Sequence, residues 1–98
     1  MIHSKYSVVF IEIIAPYTLL VKFDDHTSQL IDFKPILKGA LYGPLTNLSV
    51  FNQAKIDPEV HTIVWPNGAD FDPATLHDWP VYINTFKALA KKWSSKPT

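Results

Sequence analysis

The spacing of apolar positions divides the chain into two kinds of segment. Between Val8 and Ile14 every residue except Glu12 is β-branched or aromatic, the composition of a strand buried on at least one face. Ala15-Pro16-Tyr17 ends the run, because proline lacks the N–H that a ladder position needs. Thr18 to Phe23 and Thr27 to Phe33 predict a second and a third strand, with Leu30 and Asp32 facing opposite to Ile31 and Phe33. The polar connection Asp24-Asp25-His26 is short enough to make them a hairpin.

Pro35, Gly39, Gly43 and Pro44 then break the pattern and leave room for one helical turn around Ile36 to Leu41. Asn47 to Ala54 predicts a short helix with Leu48, Phe51 and Ala54 on its buried side. Lys55 to Asp57 predicts a short strand, Pro58-Glu59 a turn and Val60 to Trp65 a longer strand. Pro66-Asn67-Gly68 is the strongest turn signal in the chain, since Asn-Gly readily adopts positive φ. Asp72-Pro73 reads as an N-cap followed by proline at the first helical position, and Asp78 with Pro80 marks a second helix start. Tyr82, Phe86, Leu89 and Trp93 recur at helical spacing and predict the apolar stripe of a C-terminal helix. Lys87, Lys91 and Lys92 lie off that stripe, and Ser94 to Thr98 is a polar tail that frays.

These elements predict an α+β fold. It has a small antiparallel sheet of about five short strands, short helices and a C-terminal amphipathic helix, in a single domain over residues 1–98. At 98 residues and 47% hydrophobic content, the chain supports one modest core. The polar Met1 to Tyr6 and a run too short to span a bilayer, which needs about 20 apolar residues, predict a cytoplasmic protein without a signal peptide. The absence of cysteine excludes disulfides and thiolate metal sites. Nine lysines balance nine carboxylates and there is no arginine, which argues against a domain built to hold nucleic acid.

Candidate chemistry is sparse. His3, His26, His61 and His77 have no metal-ligand spacing, and His77-Asp78 lacks the further ligands a metal-dependent hydrolase needs. Asp70 and Asp72 begin like a calcium loop, but Pro73 follows and no glutamate closes it. Gly39-x-x-x-Gly43 lacks the lysine of a phosphate loop, and no activated nucleophile is recognisable. No enzyme activity, metal or cofactor is therefore expected. Trp65, Trp79 and Trp93 with four tyrosines suit either a core or an interface.

The segment Ile63 to Leu76, with Trp65-Pro66-Asn67-Gly68-Ala69-Asp70 running into Asp72-Pro73, resembles the small bacterial domains of unknown function called DUF2442. Leu20 to Asp25, Asp32-Phe33, Leu45 and Phe51 extend the resemblance over roughly residues 6–78. In two respects the chain departs from that pattern: His26 stands where the family usually has glycine, and residues 79–93 add a helix beyond the family-like core. The resemblance implies a compact α+β fold without known catalytic residues. It also implies partners, since some members are fused to a helix-turn-helix domain and others are encoded beside a small protein in a toxin–antitoxin-like arrangement.

The expected function is a non-catalytic protein-interaction module. Its expected contact residues are Trp65, Asn67, Gly68, Asp70 and Asp72 in the loop and Tyr82, Phe86, Leu89 and Trp93 on the helix, which would meet a protein partner or a second copy. A hairpin followed by a capped helix is the competing, purely structural reading of these residues. Two alternatives stay open. One is a nucleic-acid-associated regulator using Lys87, Lys91, Lys92 and Trp93; the other is a small metal-binding protein or enzyme.

Overall fold

The computed structural model describes residues 6–94, without the side chain of Ser94. The tail at residues 95–98 and the segment at residues 1–5, which includes His3, lie outside the described residues. Strands β1 (Val8–Ala15), β2 (Thr18–Phe23) and β3 (Ser28–Asp32) form an antiparallel meander in that order. Single 3-10 turns at Lys34–Ile36 and Gly43–Thr46 flank helix α1 (Gly39–Tyr42), and α2 (Leu48–Phe51) follows. Strands β4 (Lys55–Ile56) and β5 (Ile63–Val64) pair as a second small sheet, and helices α3 (Pro73–His77) and α4 (Trp79–Ser94) close the chain. The architecture is α+β, as the sequence predicts.

Two turns of the meander rest on residues with positive φ. Tyr17 follows Pro16 with φ 60°, and its phenol fixes it there by donating to the Thr46 carbonyl at 2.6 Å. His26 has φ 71°. It closes the β2–β3 turn by donating its N–H to the Phe23 carbonyl while Phe23 N–H donates to Thr27. A left-handed position favours glycine, and histidine occupies it here at a modest conformational cost.

One face of the meander presents Val8, Leu19, Val21, Phe23 and Ile31 to the interior, all buried. Against it pack Ile36, Leu37, Leu45, Phe51, Ile63, Leu76 and a cluster of rings. Phe33 stands at the centre of that cluster, with centroids 5.3–5.9 Å from Phe51, Trp65, Phe71 and Trp79. These distances suit the offset and edge-on contacts that aromatic rings prefer.

Three predicted elements change extent. The strand expected over Val60 to Trp65 shrinks to Ile63–Val64. Asp57 draws the preceding residues into a turn by accepting from the N–H groups of Glu59 and Val60, and His61 sits at φ 55°. Val60 is consequently exposed, whereas Thr62 is buried and donates its hydroxyl to the Phe71 carbonyl. The helix expected over Asn47 to Ala54 is limited to Leu48–Phe51, capped by the Asn47 side chain on Ser49 N–H. The helical turn around Ile36 to Leu41 splits into a 3-10 turn and α1, separated by the extended Lys38.

Candidate interaction surface

The loop from Trp65 to Asp72 is used internally almost throughout. Trp65 is 3% exposed, and its indole N–H donates to the Phe51 carbonyl at 2.9 Å. Asn67 holds the turn by accepting from Ala69 N–H and donating its amide to the Leu41 carbonyl at 2.9 Å. Gly68 takes φ 90°, which L side chains rarely adopt. Asp72 caps α3 through Ala74 N–H, ahead of Pro73 at the first helical turn. The Asp70 carbonyl accepts from the Tyr42 hydroxyl at 3.0 Å. Burial, joined by the charge of Asp70, pushes the Tyr42 phenol above its usual range. The loop thus ties α1 and α2 to the second sheet, and among its candidate residues Asn67, Gly68, Asp70 and Asp72 are exposed.

Helix α4 packs on the body of its own chain, but along a line one step away from the predicted stripe. Trp79 and Ala90 are buried, and Ile83, Phe86 and Trp93 lie partly buried against the core. Trp79 stacks on Phe86 at 5.5 Å, Phe86 meets Phe71 edge-on, and Trp93 lies beside Tyr42. Of the predicted stripe, Phe86 and Trp93 are therefore on the packed side, while Tyr82 (40% exposed) and Leu89 (38%) are on the rim. Trp79 and Ile83 set the seam, because the helix begins immediately after α3 and Trp79 enters the ring cluster first. Lys87, Lys91 and Lys92 are exposed.

Sequence reasoning did not foresee a cluster around His77. Its Nδ1 meets Asp78 Oδ1 and its Nε2 meets Asp25 Oδ2, both at 2.8 Å. Tyr6 stacks on the imidazole at 3.6 Å and Phe23 meets it edge-on. The hydrogen bond to Asp78, followed by that to Asp25, raises the His77 pKa above its ordinary value despite partial burial. The hydroxyl of Thr27, aided by Thr27 N–H and His77, lowers Asp25 to about 2. With both ring nitrogens engaged by carboxylates, the imidazole fastens the β2–β3 turn to the end of α3. Gln29 reinforces the junction by donating to the His77 carbonyl at 2.7 Å. Asp25 and His77 are 52 residues apart, and no local spacing announces their meeting. Among the described residues no three His, Asp or Glu side chains converge as a metal site.

The outer face of the meander is the least expected surface. Solvated faces of antiparallel sheets ordinarily alternate to polar residues. Here Phe10 and Leu30 are exposed, Leu30 by 62%, while Val9 and Ile14 at the bulges and Ile13, which is opposite Leu19 on the other face, are exposed as well. Leu20 and Leu30 are direct cross-strand partners, as are Phe10 and Lys22. The Lys22 ammonium lies over the Phe10 ring, 5.2 Å from its centroid. A shallow apolar hollow of about 370 Å³ lies elsewhere, between α1 and the end of α4, lined by Lys38, Leu41, Tyr42 and Trp93.

The fold and these surfaces define a small α+β domain in which a meander, a short second sheet and a terminal helix enclose one aromatic core. The chain belongs to the DUF2442 family, described as a protein of unknown function, whose family model matches residues 8–81. No curated protein and no solved structure matches it. The match stops within the first turn of α4, so most of that helix lies outside it. No helix among the described residues is long and apolar enough to cross a membrane.

Proposed function

We propose that this protein is a non-catalytic protein-interaction module of the cytoplasm, and that it meets its partner through the outer face of the β1–β3 sheet. The observation that carries the reading is the group of apolar side chains on that face, the exposed Phe10 and Leu30 with Leu20 between them. Contiguous apolar surface on a small domain marks a contact site more often than isolated exposed residues do. The loop motif offers less, because Trp65, Asn67 and Asp72 are engaged within the fold. Tyr82 and Leu89 on the rim of α4 are a secondary contact strip. A small protein encoded beside this chain, as in a toxin–antitoxin-like pair, is the partner the family resemblance implies.

The test is site-specific photo-crosslinking in cells, with a photoreactive phenylalanine at Leu30 and, as control, at Asn84 on the exposed side of α4. Protein adducts at position 30 at least several-fold above those at position 84 support the reading. Equal, background-level labelling at both positions overturns it.

A further inference from the structure

We propose that two copies of this chain join edge to edge through β1, antiparallel, with Ile11 at the two-fold axis. The inference rests on the interaction-module reading and adds to it a self-contact at the edge of the same sheet.

β1 is an edge strand, since the sheet order is β1-β2-β3. On its outer side the Val8 N–H is engaged, donating to the His61 carbonyl at 2.8 Å. β4 also packs against β1, but beyond Val8 no backbone hydrogen bond is made on that side among the described residues. Phe23 N–H bonds Thr27, so the Phe23 peptide faces β3. Peptide directions alternate along a strand, which turns Lys22 and Leu20 toward β1 and their partners Phe10 and Glu12 back toward β2. The N–H and C=O groups of Ile11 and Ile13 therefore face away from the sheet. Outside the β1–β2 ladder they have no backbone partner among the described residues. An exposed apolar edge of this kind is a template for strand addition.

Charge identifies both the occupant and the register. Residues directly opposite in an antiparallel pair share a sheet face, so a two-fold axis between identical strands passes at a residue. Glu12 is the only charged residue of β1. With Glu12 at the axis, two carboxylates oppose each other, which is destabilising. With Ile11 at the axis, each Glu12 lies opposite the second copy's Phe10, the ring that carries a Lys22 ammonium. The row across the interface then reads Lys22, Phe10, Glu12 of the second copy, and symmetry repeats it. Within one chain Glu12 and Lys22 are diagonal neighbours on the ladder, yet neither has an ion-pair partner among the described residues. Self-pairing at Ile11 provides a cation for each carboxylate and continues the apolar outer face across six strands.

The ladder is short, since β-bulges interrupt β1 between Val8 and Phe10 and between Ile13 and Ala15. The interface is therefore smaller than the roughly 800 Å² per partner of a standard complex, and the dimer is weak and concentration-dependent. Sedimentation velocity on the full chain, from about 10 µM to about 1 mM, should show monomer passing to dimer. Glu12→Lys or Lys22→Glu should each weaken the dimer at least tenfold, and the double charge swap should restore it, with circular dichroism reporting that every variant is folded. The chain has no cysteine, so single cysteines report register directly. A hydrogen-bonded cross-strand pair has its Cα atoms ~5.5 Å apart, within disulfide range. On oxidation Ile11→Cys should form a covalent dimer at least tenfold faster than Glu12→Cys or Leu30→Cys. A monomer throughout the concentration range, or fastest cross-linking at Glu12→Cys, overturns the inference. Crosslinks from position 30 to a different protein, with the chain itself monomeric, would overturn the dimer and leave the interaction-module reading standing.

Discussion

Replacing Trp65 by phenylalanine separates a structural role of the loop motif from a recognition role. The indole is 3% exposed, with ring centroids 5.6 Å from Phe51 and 5.9 Å from both Phe33 and Phe71. Two losses follow from the change. The smaller ring leaves roughly 40 Å³ unfilled, which at ~24 cal/mol per Å³ costs about 1 kcal/mol. The N–H bond to the Phe51 carbonyl also disappears. That carbonyl keeps Ala54 N–H at 3.1 Å as a second donor, so it is not orphaned and the loss is the net value of one bond, about 1 kcal/mol. The sum is about 2 kcal/mol, against about 3–5 kcal/mol for Trp65→Ala. Equilibrium urea unfolding followed by far-UV circular dichroism should show a midpoint lower by about 1–2 M with an unchanged slope. A Trp65→Phe variant as stable as the parent within about 0.5 kcal/mol, but altered in self-association or crosslinking, would refute the structural assignment of this tryptophan.

The His77 cluster predicts a stability maximum bounded on both sides by titration. The His77 pKa is raised in the folded chain, so its contribution is complete below the ordinary histidine value of about 6.5 and is lost as pH rises through the folded pKa. Asp25 is lowered from 3.8 to about 2, so its contribution is complete above the ordinary value and is lost as pH falls toward the folded one. Urea midpoints should therefore be highest between about pH 4 and pH 6.5, and His77→Gln should remove most of the alkaline decline. A parent profile that is flat from neutral into alkaline pH would be incompatible with a raised His77 pKa. The two glycines with positive φ should respond unequally. Gly68→Ala meets open space and should cost about 1 kcal/mol of backbone strain. A Cβ at Gly39 would lie 3.3 Å from the Trp93 Cβ, so Gly39→Ala should lower the thermal midpoint further. Equal shifts for the two variants would show that α4 is not seated against α1 as described.

The parts of the fold that were legible in the sequence are those set by local rules. Proline at position 16 ended a strand, Asn67-Gly68 turned the chain, and Asp72-Pro73 opened a helix, each because a backbone group or dihedral angle requires that residue type. The left-handed turn position at His26 was also readable, since that residue sits at φ 71°. What escaped depends on tertiary placement. Val60 has the composition of a strand residue, but Asp57 captures its N–H and removes it from the ladder. The seam of α4 runs through Trp79, Ile83, Phe86, Ala90 and Trp93. Periodicity alone admits two adjacent stripes that share Phe86 and Trp93, and only the position of Phe71 and Phe33 selects between them. The bond between His77 and Asp25 had no sequence signal, because each residue is ordinary in its own turn. The candidate surface shows the same division. The Trp65 motif drew attention through its residue types, which the core then used. The apolar outer face is visible in the sequence only as strand composition, because alternation cannot tell which of two apolar faces the rest of the chain will cover. Once the ring cluster covers the face of Leu19, Val21 and Ile31, Phe10, Leu20 and Leu30 are left facing outward. That exposed apolar surface is thus a consequence of packing on the opposite side of the same three strands.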